Sequence, residues 1–266
     1  FFLCSFVEMN GMPKAKVVPT THIEDMAEKG AGFAGFAAGN MGQGPHSPDM
    51  ASLPDLNSIT ILPWRPDTAW VIGNIEVEGA PWDFCPRTIL QRQLERARQK
   101  GYHLNVGVEP EFMLLARRED GTLAPADETD VLEKPCYDYK GLSRSRAVLE
   151  TLASALMEAG FDVYQIDHED SNGQFEMNYT YTDALTSADR YVFFRMAANE
   201  IADDFGLMCT FMPKPFTDRT GSGMHMHISI ASNDSANIFN DDDDARGLGL
   251  SRLAYQFLGG LLKHAR

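Results

Sequence analysis

At 266 residues, with 44% hydrophobic and 23% charged residues, the chain has ordinary globular composition and length enough for two domains. Its formal charge of −15 argues against a nucleic-acid partner, because a phosphate-binding surface needs clustered Lys and Arg and here these are scattered, singly or in pairs such as Arg117-Arg118. An acidic balance suits divalent cations better than polyanions. Cys4, Cys85, Cys136 and Cys209 lie far apart and form no CxxC pair, as expected of packing residues in a reducing compartment. No apolar run approaches the ~18–20 residues of a membrane span, and no leader is evident. The expectation is a cytoplasmic protein with no membrane partner.

In chain order, Phe1–Met9, a turn at Asn10-Gly11 and Ala15–Val18 read as a β-hairpin. Thr21–Lys29 reads as a short helix stopped by Gly30. Residues 30–54, rich in Gly, Pro, Asn and Ser, read as one long loop, of the kind that is usually functional. Strands follow at Ser58–Leu62 and Trp70–Glu76, and the first unit closes near Phe84. Pro86 opens a helix over Arg87–Gly101, followed by a strand at Val106–Leu115 and an amphipathic helix at Arg144–Ala159 ended by Gly160. Strands at Asp162–Ile166, Gln174–Tyr179, Thr210–Met212 and Met224–Ile230, with a helix over Ala184–Phe205, complete an α+β or α/β pattern. Asp241–Asp244 reads as a solvated loop. The chain starts inside an apolar run and stops inside a helix-like one (RLAYQFLGGLLKHAR), so a fragment is expected.

Gly30-x-Gly32-x-x-Gly35 spells the dinucleotide fingerprint GxGxxG, but it follows a helix and enters a loop, the reverse of the required context. Three other clusters carry chemistry. In Val108-Glu109-Pro110-Glu111-Phe112, two carboxylates share one face of an apolar strand, roughly 6.5–7 Å apart at Cα. Burying both is costly unless a cation compensates; a solvent-facing edge would give the same pattern. Asp167-His168-Glu169-Asp170-Ser171-Asn172-Gly173-Gln174-Phe175-Glu176-Met177-Asn178 is an acidic turn entering a strand, with Gln174, Glu176 and Asn178 on one face. A wet surface would again suffice. In Gly221-Ser222-Gly223-Met224-His225-Met226-His227-Ile228-Ser229, His225, His227 and Ser229 share a strand face entered through glycines. Together these residues fit hard divalent cations and phosphoryl transfer. They do not name the reaction.

These clusters, in this order and preceded by Thr210-Phe-Met-Pro-Lys-Pro215, resemble the glutamine synthetase family over nearly the whole chain. Ser47–Asp55 resembles the stretch after that family's substrate-gating loop. Glu133–Asp138 and the Asp-His-Glu-Asp form of the second cluster resemble a subgroup of type III-like glutamine synthetases and γ-glutamylmethylamide synthetases. The resemblance implies an α+β protein, with residues 1–84 a β-grasp-like domain and 85–266 a catalytic, α/β barrel-like domain, incomplete at its C-terminus. It implies Glu111, Glu169 and Glu176 as ligands of one cation, Glu169 and Glu176 being the expected catalytic pair, with Glu109 and His225 as ligands of a second. It implies His227 and Ser229 as nucleotide contacts and Gly221 as a backbone contact to glutamate. Cofactors would be two or more Mg2+ or Mn2+ ions per site. ATP, glutamate and ammonia or a small amine such as methylamine would be substrates of an amide ligation through γ-glutamyl phosphate. The family's third ligand to the second cation and its catalytic arginines would lie beyond Arg266, so full turnover is not expected of these residues alone.

Thr220 stands where the family carries Asn. At Phe33-Ala34-Gly35 the family's ammonia-using members carry Asp in the middle, followed by serines where this chain has Phe36 and Ala37. Stacked homo-oligomeric rings with shared sites are implied as well, the 30–54 segment completing the neighbour's site. A catalytically silent relative is the reading of a different class.

Overall fold

The computed structural model describes residues 1–39, 41–234 and 236–265. The first part is built of β1 (Phe2–Val7), β2 (Pro13–Val18), α1 (Ile23–Lys29), β3 (Ala31–Phe33), β4 (Met50–Pro54), β5 (Thr60–Leu62), β6 (Arg65–Val77) and β7 (Ala80–Pro81). The Asn10-Gly11 hairpin forms as expected: β1 and β2 pair from Phe2↔Val18 to Val7↔Pro13. Gly11 takes a positive φ of 77°, and the buried Glu8 carboxylate accepts from Asn10 Nδ2 and Met12 N inside the turn. The sheet order is β2-β1-β6-β4-β3, with β5 and β7 also on β6; β1 and β6 run parallel.

The 30–54 segment is not one loop. β3 and β4 pair with each other, and β4 pairs with β6. Neither strand shows apolar alternation; the edge of β6 recruits them, and Gly30 permits the close approach, since a Cβ there would sit 2.7 Å from the Ser52 carbonyl oxygen. The glycine series follows a helix, as expected, but runs into the short strand β3 rather than a loop, still the reverse of the dinucleotide motif.

The second part comprises α2 (Pro86–Arg98), β8 (His103–Arg117), β9 (Leu123–Pro125), α3 (Tyr139–Glu158), β10 (Val163–His168), β11 (Gln174–Tyr179), β12 (Thr182–Asp183), α4 (Ala184–Asp204), β13 (Met208–Thr210), β14 (Met224–Ala231) and α5 (Arg252–His264). The 15-residue β8 is the axis, flanked by β10-β11 on one side and paired also with β9, β12, β13 and β14. α3 begins five residues before Arg144, because Asp138 caps it by accepting from Gly141 N at 2.7 Å; its first turn has no apolar repeat to read. α2 stops at Arg98, where Tyr102 N turns back to the Ala97 carbonyl. β13 lies two residues earlier than expected, and Thr210 Oγ1 accepts from Met212 N as the chain leaves the sheet. In the 241–244 loop, Asp244 is more than solvated: its carboxylate gathers Arg246, Leu248 and Leu250 N–H groups and the Tyr255 hydroxyl.

Period 2 divides the second sheet. Val108, Phe112, Leu114, Phe175, Met177 and Tyr179 face α3 and α4 and join Leu149, Leu152, Leu156, Phe193, Phe194 and Ile201 in the main core. Phe112 meets Phe175 and Phe194 at ring centroids 6.3 and 5.9 Å apart. Leu62, Trp70 and Ile72 of the first sheet enter the same core, with Trp70 edge-on to Phe193, so α4 is packed from both sides. The opposite face of β8, β10, β11 and β14 is left for polar residues. Among the described residues no helix is long and apolar enough to cross a membrane.

Asp183 caps α4, accepting from Leu185 and Thr186 N. Burial pushes its carboxyl up, but the bonds from Thr186 and Leu185 outweigh burial and hold it below the ordinary carboxylate range. A depressed carboxyl stabilises the fold above its unfolded pKa and ceases to do so as pH falls through the folded value. Thermal melts of Asp183→Asn should therefore lie below wild type at pH 5–7 and converge with it below the ordinary aspartate value of ~3.9; parallel curves down to pH 2.5 would refute this.

Candidate metal centre

Strand register assembles the polar face. Asp167 on β10 lies opposite Glu176 on β11, which lies opposite Glu111 on β8. Two residues along β8, Glu109 lies opposite His225 of β14, and His227 lies opposite Gly107. Three clusters far apart in sequence thus occupy one face, because each is in phase with the apolar residues that point to the core.

Two sets of side chains bring one ligand atom each within 4.8 Å of one another: Glu109 with Glu176 and His225, and Asp167 with Glu169 and Glu176. Glu176 belongs to both and is 7% exposed. Glu111 is in neither set: its Oε2 accepts from Gln174 Nε2 and from Gly223 N, both at 3.0 Å. Asp167, which was not among the expected ligands, joins Glu169 and Glu176, while Glu111 lies opposite Glu176 across the β8–β11 pair. The signal for Asp167 was in the sequence, since β10 alternates Gln165 and Asp167 toward this face, but the register that sets it against Glu176 was not.

His225 Nδ1 lies 3.7 Å and His227 Nε2 3.1 Å from the Glu109 carboxylate, both rings being exposed. Ser229 continues the same face opposite Asn105, outside both sets. Gly221 is sterically obligatory, because a Cβ would fall 2.3 Å from the Pro213 carbonyl oxygen; its own carbonyl accepts from Gln174 Nε2 at 3.0 Å. Thr220 donates to Asp170 Oδ2 at 2.9 Å, and Arg219 Nη1 to Asn172 Oδ1 at 2.5 Å, tying this loop to the acidic turn. Beside Glu109 and His227 opens a cavity lined by Tyr164, Tyr179 and Tyr181. The sequence reading missed Tyr164 and Tyr181, which fall outside the motif spans.

The electrostatics suit a cation. Among the described residues, no Lys or Arg forms an ion pair with these five carboxylates; only the two histidines approach them. Burial, reinforced by Glu111, Glu176 and Asp167 against a bond from Asp170 N, pushes the Glu169 carboxyl up to about 7. Burial likewise raises Glu176 and Asp167. Half-buried acids that repel one another, arranged as oxygen donors with one imidazole, fit a hard divalent cation.

A sheet face that gathers carboxylates and histidines from several strands suits a protein that holds divalent cations on β-strands rather than loops. The family described as "Glutamine synthetase, catalytic domain" matches residues 83–266, and the chain belongs to the glutamine synthetase family. The chain is 50% identical over 266 residues to glutamate–methylamine ligase of Methyloversatilis universalis, and 42% identical to glutamine synthetase of Rhizobium leguminosarum bv. phaseoli. Each alignment covers 100% of this chain and 60% of the relative. A solved structure described as a GmaS/ADP complex superposes with a TM-score of 0.94 at 45% identity, over 100% of this chain and 60% of that one. A structure described as a glutamine synthase homolog, 23% identical, shares the fold with a TM-score of 0.86, covering 99% of this chain and 62% of that one. The chain thus spans about three fifths of the length of the relatives it matches.

Proposed function

We propose that the protein is an ATP-dependent glutamate–amine ligase, joining ammonia or methylamine to the glutamate γ-carboxylate through γ-glutamyl phosphate. The observation that carries this is the acidic face itself: Asp167, Glu169, Glu176 and Glu109 with His225, converging on shared points with no Lys or Arg ion-paired to them among the described residues. Bound there, divalent cations supply positive charge to phosphoryl oxygens as the γ-phosphate is transferred. Glu169, Glu176 and Asp167 would hold one cation and Glu109, Glu176 and His225 another. Glu111, held by Gln174 and Gly223, keeps a further carboxylate beside the first. His227 and Ser229 lie along β14 on the nucleotide side, and the tyrosine-lined cavity next to His227 offers faces on which a purine can stack. Gly221 keeps the 213–223 loop close enough for its backbone to meet the glutamate.

Residues 1–84 act, in this reading, as a β-grasp-like domain and 85–266 as part of the catalytic domain. The subunits, in the same reading, form stacked rings in the cytoplasm, with the 30–54 segment reaching the neighbour's site; the exposure of Phe36 supports such a contact. Light scattering on the full-length protein should show a large oligomer, and an active monomer would contradict it.

The amine is the open term. Ala34, Phe36 and Ala37 replace a carboxylate and hydroxyls that would attract ammonium, leaving the segment apolar, and the 50% identical relative is a methylamine ligase. One buried methyl is worth about 1–3 kcal/mol of discrimination, so methylamine should compete with ammonia rather than exclude it. Phosphate release dependent on ATP and glutamate, measured on the full-length protein with a panel of amines, tests the reading. kcat/KM for methylamine should equal or exceed that for ammonia, and Ala34→Asp should shift the ratio toward ammonia. Strong preference for ammonia, unmoved by Ala34→Asp, would count against methylamine; no release with any amine would leave a silent relative.

A further inference from the structure

A second polar cluster lies behind the acidic face, wholly inside the protein. His168 is 0% exposed at its side chain and Asp130 2%. His168 Nε2 lies 2.8 Å from Asp130 Oδ2, and its Nδ1 lies 2.8 Å from the carbonyl oxygen of Glu169. The same Asp130 oxygen accepts from Gly173 N at 2.7 Å, while Oδ1 accepts from Asn172 Nδ2 at 3.1 Å. One aspartate thus holds the turn between Glu169 and Glu176 at three points, through the ring of His168, the side chain of Asn172 and the backbone of Gly173. The ring is boxed as well: it stands edge-on to Phe175 at 5.0 Å, and it fits against α3 only because residue 141 is glycine, where a Cβ would lie 2.4 Å from His168 Cδ2. Tyr137 N donates to the His168 carbonyl at 2.8 Å, pinning the same residue from the 130–138 segment.

We propose that Asp130 and His168 are a positioning pair that aims Glu169 at the cation site from behind. The pair touches neither cation nor substrate. It acts through the Glu169 backbone, to which the ring is bonded directly, and through Gly173, whose position sets the entry of β11 and so of Glu176. An outward turn of acidic residues has every electrostatic reason to splay, since Asp167, Glu169 and Glu176 repel one another; a neutral loop capped only by water would not resist it. A buried carboxylate with three donors, fixed before any cation arrives, removes that freedom. Such outer supports commonly change cation affinity by ~10–100-fold when removed.

The inference rests on the cation-site reading, and the test separates the two. Mn2+ binding by the full-length protein is measured by titration calorimetry for wild type, Asp130→Ala, Asp130→Asn, His168→Ala and His168→Gln, alongside thermal melts. Asp127→Ala serves as the control for simple loosening of this segment, since Asp127 orders the neighbouring turn through Thr129 and pairs with Arg144. The expected result is Mn2+ affinity about 10–100-fold weaker in the alanine variants. Partial recovery is expected in Asp130→Asn, whose amide oxygen can still accept from Gly173, and affinity near wild type in Asp127→Ala. The volume-conserving Asn and Gln variants keep the measurement informative if the alanine forms do not fold. Mn2+ affinity in Asp130→Asn and His168→Gln equal to wild type, with only the melting temperature changed, would overturn the positioning role while leaving the cation site standing. An equal loss in Asp127→Ala would also overturn it. Absence of Mn2+ binding by wild type would overturn the cation site and the pair together.

Discussion

Glu176→Ala should remove cation binding altogether and leave the fold intact. Glu176 is the one carboxylate shared by both convergent sets, and it is almost wholly buried, so its loss strips a donor from each at once. The effect on Mn2+ affinity should exceed the ~10–100-fold typical of an outer support. The fold should survive because the carboxylate is itself a strained element. Burial and the neighbouring Asp167, Glu109 and Glu111 push its pKa up, against only the bond from Asn178. Deleting one of several clustered, half-desolvated acids removes repulsion from the cation-free protein. Calorimetric titration with Mn2+ and a melt of the same sample provide the check. A titration matching wild type would refute the assignment of this face, and a collapsed melt would show that Glu176 is structural.

Arg87→Ala should cost about 3–5 kcal/mol of stability, the usual result of stripping one partner from a buried ion pair. The guanidinium is 5% exposed; its Nη2 meets Asp55 at 2.7 Å and Asp189 at 2.9 Å, and its Nη1 donates to Asn74 at 3.0 Å. α2, the first sheet and α4 are thereby tied at one point. The two acids behave differently. Burial raises the Asp189 carboxyl although Arg87 opposes it. Partial burial raises Asp55 too, but its bonds to Arg87 and Asn57 outweigh this and hold it below the ordinary range. The loss in Arg87→Ala is therefore chiefly the stranded Asp189. Arg87→Met with Asp189→Leu should recover most of the stability, since an apolar pair of like volume avoids the desolvation. Denaturant melts decide it, and a loss below about 1 kcal/mol would show the ion pair to be incidental.

What was legible in advance was whatever repeats locally. Glu109 and Glu111 on a strand face, His225 and His227 on another, and the glycines around residue 221 all follow from period 2 and turn chemistry. The helix cores were legible for the same reason. Asp167 was not assignable, because which of several acids in an acidic turn meets Glu176 depends on the pairing of β10 with β11, and register is a tertiary property. β3 and β4 were invisible because a short strand needs no alternation of its own when a neighbour, β6 for β4 and β4 for the edge strand β3, supplies the hydrogen bonds. Arg87 showed no motif; its partners at residues 55, 74 and 189 are joined only by packing. The resemblance to glutamine synthetases points to this face and names Glu111 but not Asp167, since a motif records which residues recur and not which way each carboxylate turns.

β8 sets an order of events. Its partner strands all follow it in the chain, some from far away: Gln174 reaches Glu111 across 63 residues, and Gly223 reaches it across 112. Each closure carries the entropy of a long loop and is slow compared with forming the helices between. A ribosome delivering this chain from its N-terminus presents Glu109 and Glu111 early, with no opposite number; Glu111 waits for β11 and Glu109 for β14. Half of the cation centre is thus translated long before the other half. A nascent chain halted before residue 225 would already carry the acids of β8, β10 and β11 but none of the imidazole, and would offer a passing cation only oxygen.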